Sequence, residues 1–195
     1  MERKSEVSRE TKETTISVKL NLDGAGKHDI STGIPFFDHM LMLFAVHGFF
    51  DLSVDATGDL EVDFHHTVED VGIVLGLALT QALGERQGIK RYGYAVTPMD
   101  DALSSVAVDL SNRPFLVFNL PSAIRQGGGF DASLAKEFFR AFAIQSGMNL
   151  HINVFYGENS HHIIESIFKT TAKALDQATG FDNRIKDILS TKGRL

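Results

Sequence analysis

Two stretches of the chain carry one pattern: His65-His66-Thr67-Val68-Glu69 and, 96 positions later, His161-His162-Ile163-Ile164-Glu165. Four of the eight histidines lie in them. Imidazole nitrogen and carboxylate oxygen bind divalent metals; with no cysteine in the chain, thiolate metal sites, disulfides and thiol nucleophiles are excluded together. Each copy precedes an apolar run with helical spacing, which puts the ionisable groups in the first turns of a helix. There, residues four apart differ by about 40° around the axis and neighbours by about 100°. His161 and Glu165 can therefore grip one ion, and so can His65 and Glu69. The adjacent histidines, His66 and His162 included, point apart from their neighbours, so the pattern calls for two ions. His39, in Phe36-Phe37-Asp38-His39, is a further candidate ligand, and Asp38 beside it either orients a ligand histidine through its second nitrogen or is a plain helix-turn carboxylate. A nitrogen and oxygen set suits manganese, iron or zinc better than magnesium or calcium, and six ligands would favour manganese. His28, His47 and His151 read as structural.

Anion-binding candidates are Arg91, Arg113, Lys169 and Lys192. The two arginines stand near glycine or proline turns, and a planar guanidinium matches phosphate oxygens two at a time. A formal charge of -6 with no block of Lys or Arg argues against nucleic acid or an acidic membrane as the main partner. The first residues lack the apolar core of a signal peptide and no run of about 18 apolar residues occurs, so the expected location is the cytoplasm.

The elements that must position these groups repeat. Residues 15–21 alternate as a half-buried strand, 23–26 turn, and 27–32 form a possible return strand, while the first dozen residues are expected to be frayed or at an edge. A helix is expected over 36–47 with Pro35 in its first turn and Gly48 as its stop, then strands at 51–56 and 60–62. Asp63 can cap the next helix, from His65 to Gly84. The second half runs in the same order: a strand at 104–110 with 115–120 as its partner, the Gly127-Gly128-Gly129 loop, a helix over 132–145 stopped by Gly147, a strand at 150–155, and a helix from His161 capped by Asn159 or Ser160. This is an internal duplication. It predicts a two-layer α+β fold in two similar halves, 1–88 and 89–195, each a sheet covered on one face by two helices. Residues 86–101 read as the link between the halves, and the tail from about 182 as a flexible basic end.

At these same residues the sequence resembles the imidazoleglycerol-phosphate dehydratase family. The resemblance is carried by Lys12-Glu13-Thr14, Asn21-Leu22-Asp23-Gly24, Gly33 to Leu41, His65 to Asp70, Ser111-Asn112-Arg113-Pro114, and Asn159 to Glu165 followed by Phe168-Lys169, which together span nearly the whole chain in order. It implies four-stranded mixed sheets, each backed by two helices, and a hydro-lyase of histidine biosynthesis. Such an enzyme converts imidazole glycerol phosphate to imidazole acetol phosphate through a metal-bound imidazolate. It also implies two manganese ions per active site and a 24-subunit homo-oligomer with active sites at subunit contacts. The implied metal ligands are His39, His65, His66, Glu69, His161, His162 and Glu165. Glu13 is the implied acid/base carboxylate, Asp100 lines the site, and phosphate meets Arg91, Arg113, Lys169 and Ser190-Thr191-Lys192. Two positions depart from the family pattern: Glu137 stands where a histidine ligand is frequent, and Met42-Leu43 where a polar pair is frequent.

The hydrogen to be lost is not acidified by a carbonyl, so electrons of the substrate's imidazole must expel the neighbouring hydroxyl, and a carboxylate such as Glu13 must shuttle protons. The competing readings of the same ligands are a dinuclear metal phosphoesterase, which would release inorganic phosphate, and a non-catalytic metal-binding shell protein.

Overall fold

The computed structural model describes residues 2–121 and 130–195. The Gly127-Gly128-Gly129 loop lies outside the described residues. The first half comprises β1 (Lys4–Glu10), β2 (Thr14–Asn21), β3 (His28–Ser31), α1 (Pro35–Gly48), β4 (Asp51–Gly58) and α2 (His65–Leu83). The second comprises β5 (Tyr92–Met99), β6 (Ala102–Asp109), β7 (Phe115–Asn119), α3 (Ala132–Ser146), β8 (Asn149–Tyr156) and α4 (Ser160–Thr179). The sheet orders are β1-β2-β4-β3 and β5-β6-β8-β7. In both, the last strand pairs parallel with its neighbour and the other pairings are antiparallel. The duplicated α+β reading with four-stranded mixed sheets holds.

The alternation of β2 explains the layering. Ile16, Val18 and Leu20 are buried, whereas Thr15 and Lys19 face solvent on the other side. The buried sheet faces meet helices, and the helices of the two halves pack on one another, α1 on α4 and α2 on α3. Their shared core is rich in phenylalanine, with Phe37, Phe138, Phe139, Phe142 and Phe168 all inaccessible. Phe138 stacks on Phe168 at 5.3 Å and meets Phe37 edge-on at the same distance, so the two halves interlock through aromatic contacts. Gly72 and Gly76 bring α2 close to α3: a Cβ at Gly72 would lie 2.6 Å from the Phe138 carbonyl oxygen, and one at Gly76 2.9 Å from that of Phe142.

Several local expectations are corrected. The segment read as a link contains β5, an edge strand. Its outward residues Tyr92, Tyr94 and Val96 are the large apolar ones, while Gly93 faces inward, where a Cβ would lie 1.8 Å from the Ala174 carbonyl oxygen. The hydrophobic pattern is thus inverted relative to a core strand. Residues 1–12 contain β1, paired along its whole length with β2 at the sheet edge. Residues 115–120 do not partner 104–110; β7 pairs parallel with β8 across the α3 crossover. Residues 60–62 form a turn closed by Val62 N–H donating to the Asp59 carbonyl, 2.8 Å. Gly48 is the last residue of α1, and Phe49 takes the left-handed turn at φ 56°. The segment from Asp182 folds back along residues 88–91: Gly88 N–H donates to the Asp187 carbonyl (3.1 Å) and Arg91 Nη1 to that of Leu189 (2.6 Å).

Candidate metal centre

His39 from α1 and His161 and Glu165 from α4 converge. The α1 and α4 contact that unites the halves also unites these ligands. His161 Nε2 lies 3.1 Å and His39 Nε2 3.6 Å from Glu165 Oε2, and the three ligand atoms all fall within 4.8 Å of one another. Donors that share one ion through bonds near 2.1 Å sit about 3 Å apart, so the cluster has the spacing a metal requires. The Asn159 side chain accepts from His161 N–H at 2.9 Å and so caps α4. Phe36 meets the His161 ring edge-on at 5.1 Å. Burial alone would raise the Glu165 carboxyl, but Lys169 Nζ at 2.5 Å and His161 hold it below the usual carboxylate range. It therefore stands ionised, as a ligand must be.

The second set is related to the first by the duplication. His65 and Glu69 on α2 correspond to His161 and Glu165, and Glu137 on α3 corresponds to His39 on α1. Both His39 and Glu137 stand ten residues before the left-handed residue that follows their helix, Phe49 and Gly147 respectively. This set is less closed. His65 Nε2 is 3.6 Å from Glu69 Oε2, but between Glu69 and Glu137 stands Arg140, whose Nη2 is 3.5 Å from Glu69 Oε1 and 2.9 Å from Glu137 Oε2. Glu137 Oε2 is buried and pairs with Arg140 by charge, but the contact is not aligned as a hydrogen bond. A buried carboxylate oxygen whose hydrogen-bonding capacity is unused fits a cation ligand.

His66 and His162 turn away from their neighbours, with ring planes at 88° to His65 and 78° to His161. Each is held by an aspartate that the sequence reading missed. His66 Nδ1 is 3.0 Å from Asp59, and His162 Nδ1 is 2.5 Å from Asp101, whose other oxygen accepts from the Glu158 and Asn159 amides. Hydrogen bonds that the histidines donate to these aspartates raise both histidines above their ordinary value. Glu13 Oε2 lies 3.9 Å from His66 Nδ1, and Asp100 Oδ2 lies 3.6 Å from His162 Nε2, with Asp100 in a left-handed turn at φ 46°. Of the two readings of Asp38, the plain helix-turn carboxylate holds: it accepts from the Thr32 amide (2.9 Å) and hydroxyl (2.5 Å) at the start of α1, not from a ligand histidine. The missed aspartates occupy turns, where their only sequence signal is a turn-forming residue type.

The anion candidates divide. A cleft of about 970 Å³ is lined by Arg91, Arg113, Ser190, Thr191 and Lys192, among others. In it Arg113 is exposed, whereas Arg91 is buried and committed to Asp109 (2.6 and 3.0 Å) and the Leu189 carbonyl, so it anchors the tail. Lys169 belongs instead to the Glu165 cluster.

The family model for imidazoleglycerol-phosphate dehydratase matches residues 32–175. The chain belongs to the imidazoleglycerol-phosphate dehydratase family. It is 65% identical over 193 residues to the imidazoleglycerol-phosphate dehydratase of Desulfosudis oleivorans, covering 99% of each chain, and 57% identical to that of Acetivibrio thermocellus over the full length of both. Among solved structures, the dehydratase of Pyrococcus furiosus matches with a TM-score of 0.84 at 41% identity, over 97% of this chain and 100% of that one. That of Staphylococcus aureus matches with a TM-score of 0.82 at 36% identity, over 92% and 99%. At the two positions read from the sequence as departures from the family pattern, the structure places Glu137 against Arg140, which also reaches Glu69, and Met42 and Leu43 half-buried on α1.

Proposed function

We infer that the chain is a hydro-lyase that removes water from imidazole glycerol phosphate to give imidazole acetol phosphate, a step of histidine biosynthesis. The observation that carries the reading is the convergence of His39, His161 and Glu165 from two halves of a chain that matches dehydratases along its whole length. Two manganese ions serve the site, one held by His39, His161 and Glu165 and the other by His65, Glu69 and Glu137. His66 and His162 complete the ligands of neighbouring copies in a 24-subunit shell, since each diverges from the cluster on its own helix. Self-association is supported by the outer face of the second sheet, where Tyr92, Tyr94, Phe115 and Phe155 are all more than half exposed. No helix among the described residues is long and apolar enough to cross a membrane.

Metals held by these residues would supply Lewis acidity that acidifies the N–H of the substrate's imidazole, so that the ring, once it has given up that proton, has the electron pair to expel the hydroxyl on the adjacent carbon, which leaves as water on protonation. Asp59 and Asp101 accept from Nδ1 of His66 and His162, which fixes the tautomer that leaves Nε2 free. The Glu13 carboxylate, exposed at the β1–β2 turn, takes and returns protons as the enol becomes the ketone. Asp100 lines the same site. Arg113 and the Ser190-Thr191-Lys192 segment receive the phosphate, Arg91 holds that segment in place, and Lys169 keeps Glu165 ionised.

The test is to incubate the manganese-loaded protein with imidazole glycerol phosphate, following ketone formation and free phosphate, with a chelator control. Ketone without phosphate release, abolished by the chelator, is the expected result. Phosphate release would make the protein a phosphoesterase, and metal uptake with no turnover a storage shell.

A further inference from the structure

Glu13 stands in a turn, and a turn by itself does not fix a carboxylate. Its local bonds set only the shape of the loop: the Thr11 hydroxyl accepts from the amides of Glu13 (3.1 Å) and Thr14 (3.0 Å), and the Asp59 amide donates to the Glu13 carbonyl (3.2 Å). What ties the turn to the metal-ligand helix is Asp70. Its Oδ2 accepts from the Thr14 hydroxyl and from Arg9 Nη1, and the aspartate is 8% exposed. Asp70 lies one helical turn after His66, so both occupy one face of α2. That face therefore carries the imidazole that confronts Glu13 and the carboxylate that holds the residue next to Glu13.

The duplication supplies an internal control. The residue 96 positions beyond Asp70 is Ser166, whose hydroxyl turns back to the Ile163 carbonyl of its own helix at 2.8 Å. Thr14 begins β2, and the residue that begins the equivalent β6 is Ala102, which has no hydroxyl. Among the described residues the clamp exists only in the half that carries Glu13. A carboxylate needed merely to stabilise this kind of helix would be expected in both halves. We propose that Asp70, acting through Thr14 and backed by Arg9, is a positioning residue that sets the Glu13 carboxylate against the substrate. This rests on the acid/base reading of Glu13.

Thr14→Val tests it, because valine keeps the shape of threonine and leaves the Asp70–Arg9 pair intact. A displacement of about 1 Å at a reacting group costs up to about 100-fold, so kcat is expected to fall between about 10- and 100-fold. KM and manganese content should not change, and Thr14→Ser should recover most of the rate. Asp70→Asn should act in the same direction. In a Glu13→Gln background, neither substitution should lower the residual kcat further. Wild-type kcat in Thr14→Val, or an equal fractional loss with and without Glu13, overturns the clamp while leaving Glu13 in its role. Full activity in Glu13→Gln alone overturns the reading of Glu13 and the clamp with it.

Discussion

The two ligand sets built by the duplication differ in composition. On α1 and α4, two imidazoles and one carboxylate converge within 4.8 Å, with Lys169 against the buried Glu165. On α2 and α3, one imidazole faces two carboxylates, with Arg140 between them. The neutralising cations are not related by the repeat. Lys169 corresponds to Ile73 and Arg140 to Met42, so each half acquired its own positive charge at a different place. A duplicated backbone thus carries two electrostatically distinct sites: a closed one with a single ionised ligand, and a more open one whose carboxylate pair is already partly satisfied.

The largest expected effect comes from the closed set. Glu165→Gln keeps the shape but removes the ionised oxygen nearest to both His39 and His161. Removing an outer partner of a metal ligand already costs about 10- to 100-fold, so loss of a ligand itself should lower turnover by about 100-fold or more. Metal analysis should show the first ion gone and the second retained. Two ions per chain with full turnover would mean that this cluster is not the metal centre.

The sequence made the closed set legible because helix periodicity places His161 and Glu165 on one face without any knowledge of the fold. Single strands were equally accessible wherever large apolar residues point inward, as in β2, but their pairing was not, since 115–120 read as the partner of 104–110 and joins β8 instead. Where Gly93 faces the core and Tyr92 and Tyr94 face out, the same rule hid a strand. Asp59, Asp101 and Asp70 were out of reach for another reason: each acts on a residue that only tertiary packing brings to it. The placement of Glu137 opposite Glu69 depends on the close approach of α2 to α3, which Gly72 and Gly76 permit but do not announce.

A second prediction concerns the open set. Arg140→Met copies the residue found at the equivalent position, Met42, and removes the cation that an incoming metal must displace. Unit charges 4 Å apart interact by about 4 kcal/mol at an effective dielectric of 20; because Arg140 is half exposed, about 1.4 kcal/mol is the appropriate scale, or roughly tenfold. The second ion should be retained about tenfold more tightly in a chelator competition, while the first is unchanged. Equal retention in wild type and variant would show that Arg140 does not compete for the site.

The smallest effect separates the aspartate–histidine pairs of the two halves in metal-free protein. Asp101 holds His162 above its ordinary value of 6.5, and His162 together with the Asn159 and Glu158 amides holds Asp101 below its ordinary value of 3.8. A histidine raised on folding stabilises fully below 6.5, and that stability is lost as pH rises through the raised value. An aspartate lowered on folding stabilises above 3.8 and loses its contribution as pH falls through the lowered value. The pair therefore contributes most between these limits. Asp59 raises His66 in the same sense, so both halves lose stability on the alkaline side, but the acid-side loss is assigned to Asp101. In chelator-dialysed protein, the melting temperature of Asp101→Asn should lie furthest below wild type near pH 5 to 6, with the gap closing as pH rises well past 7. A gap that stays constant from pH 5 to 9 would mean that Asp101 serves the fold through its amide contacts alone, and that its bond to His162 adds nothing until a metal arrives.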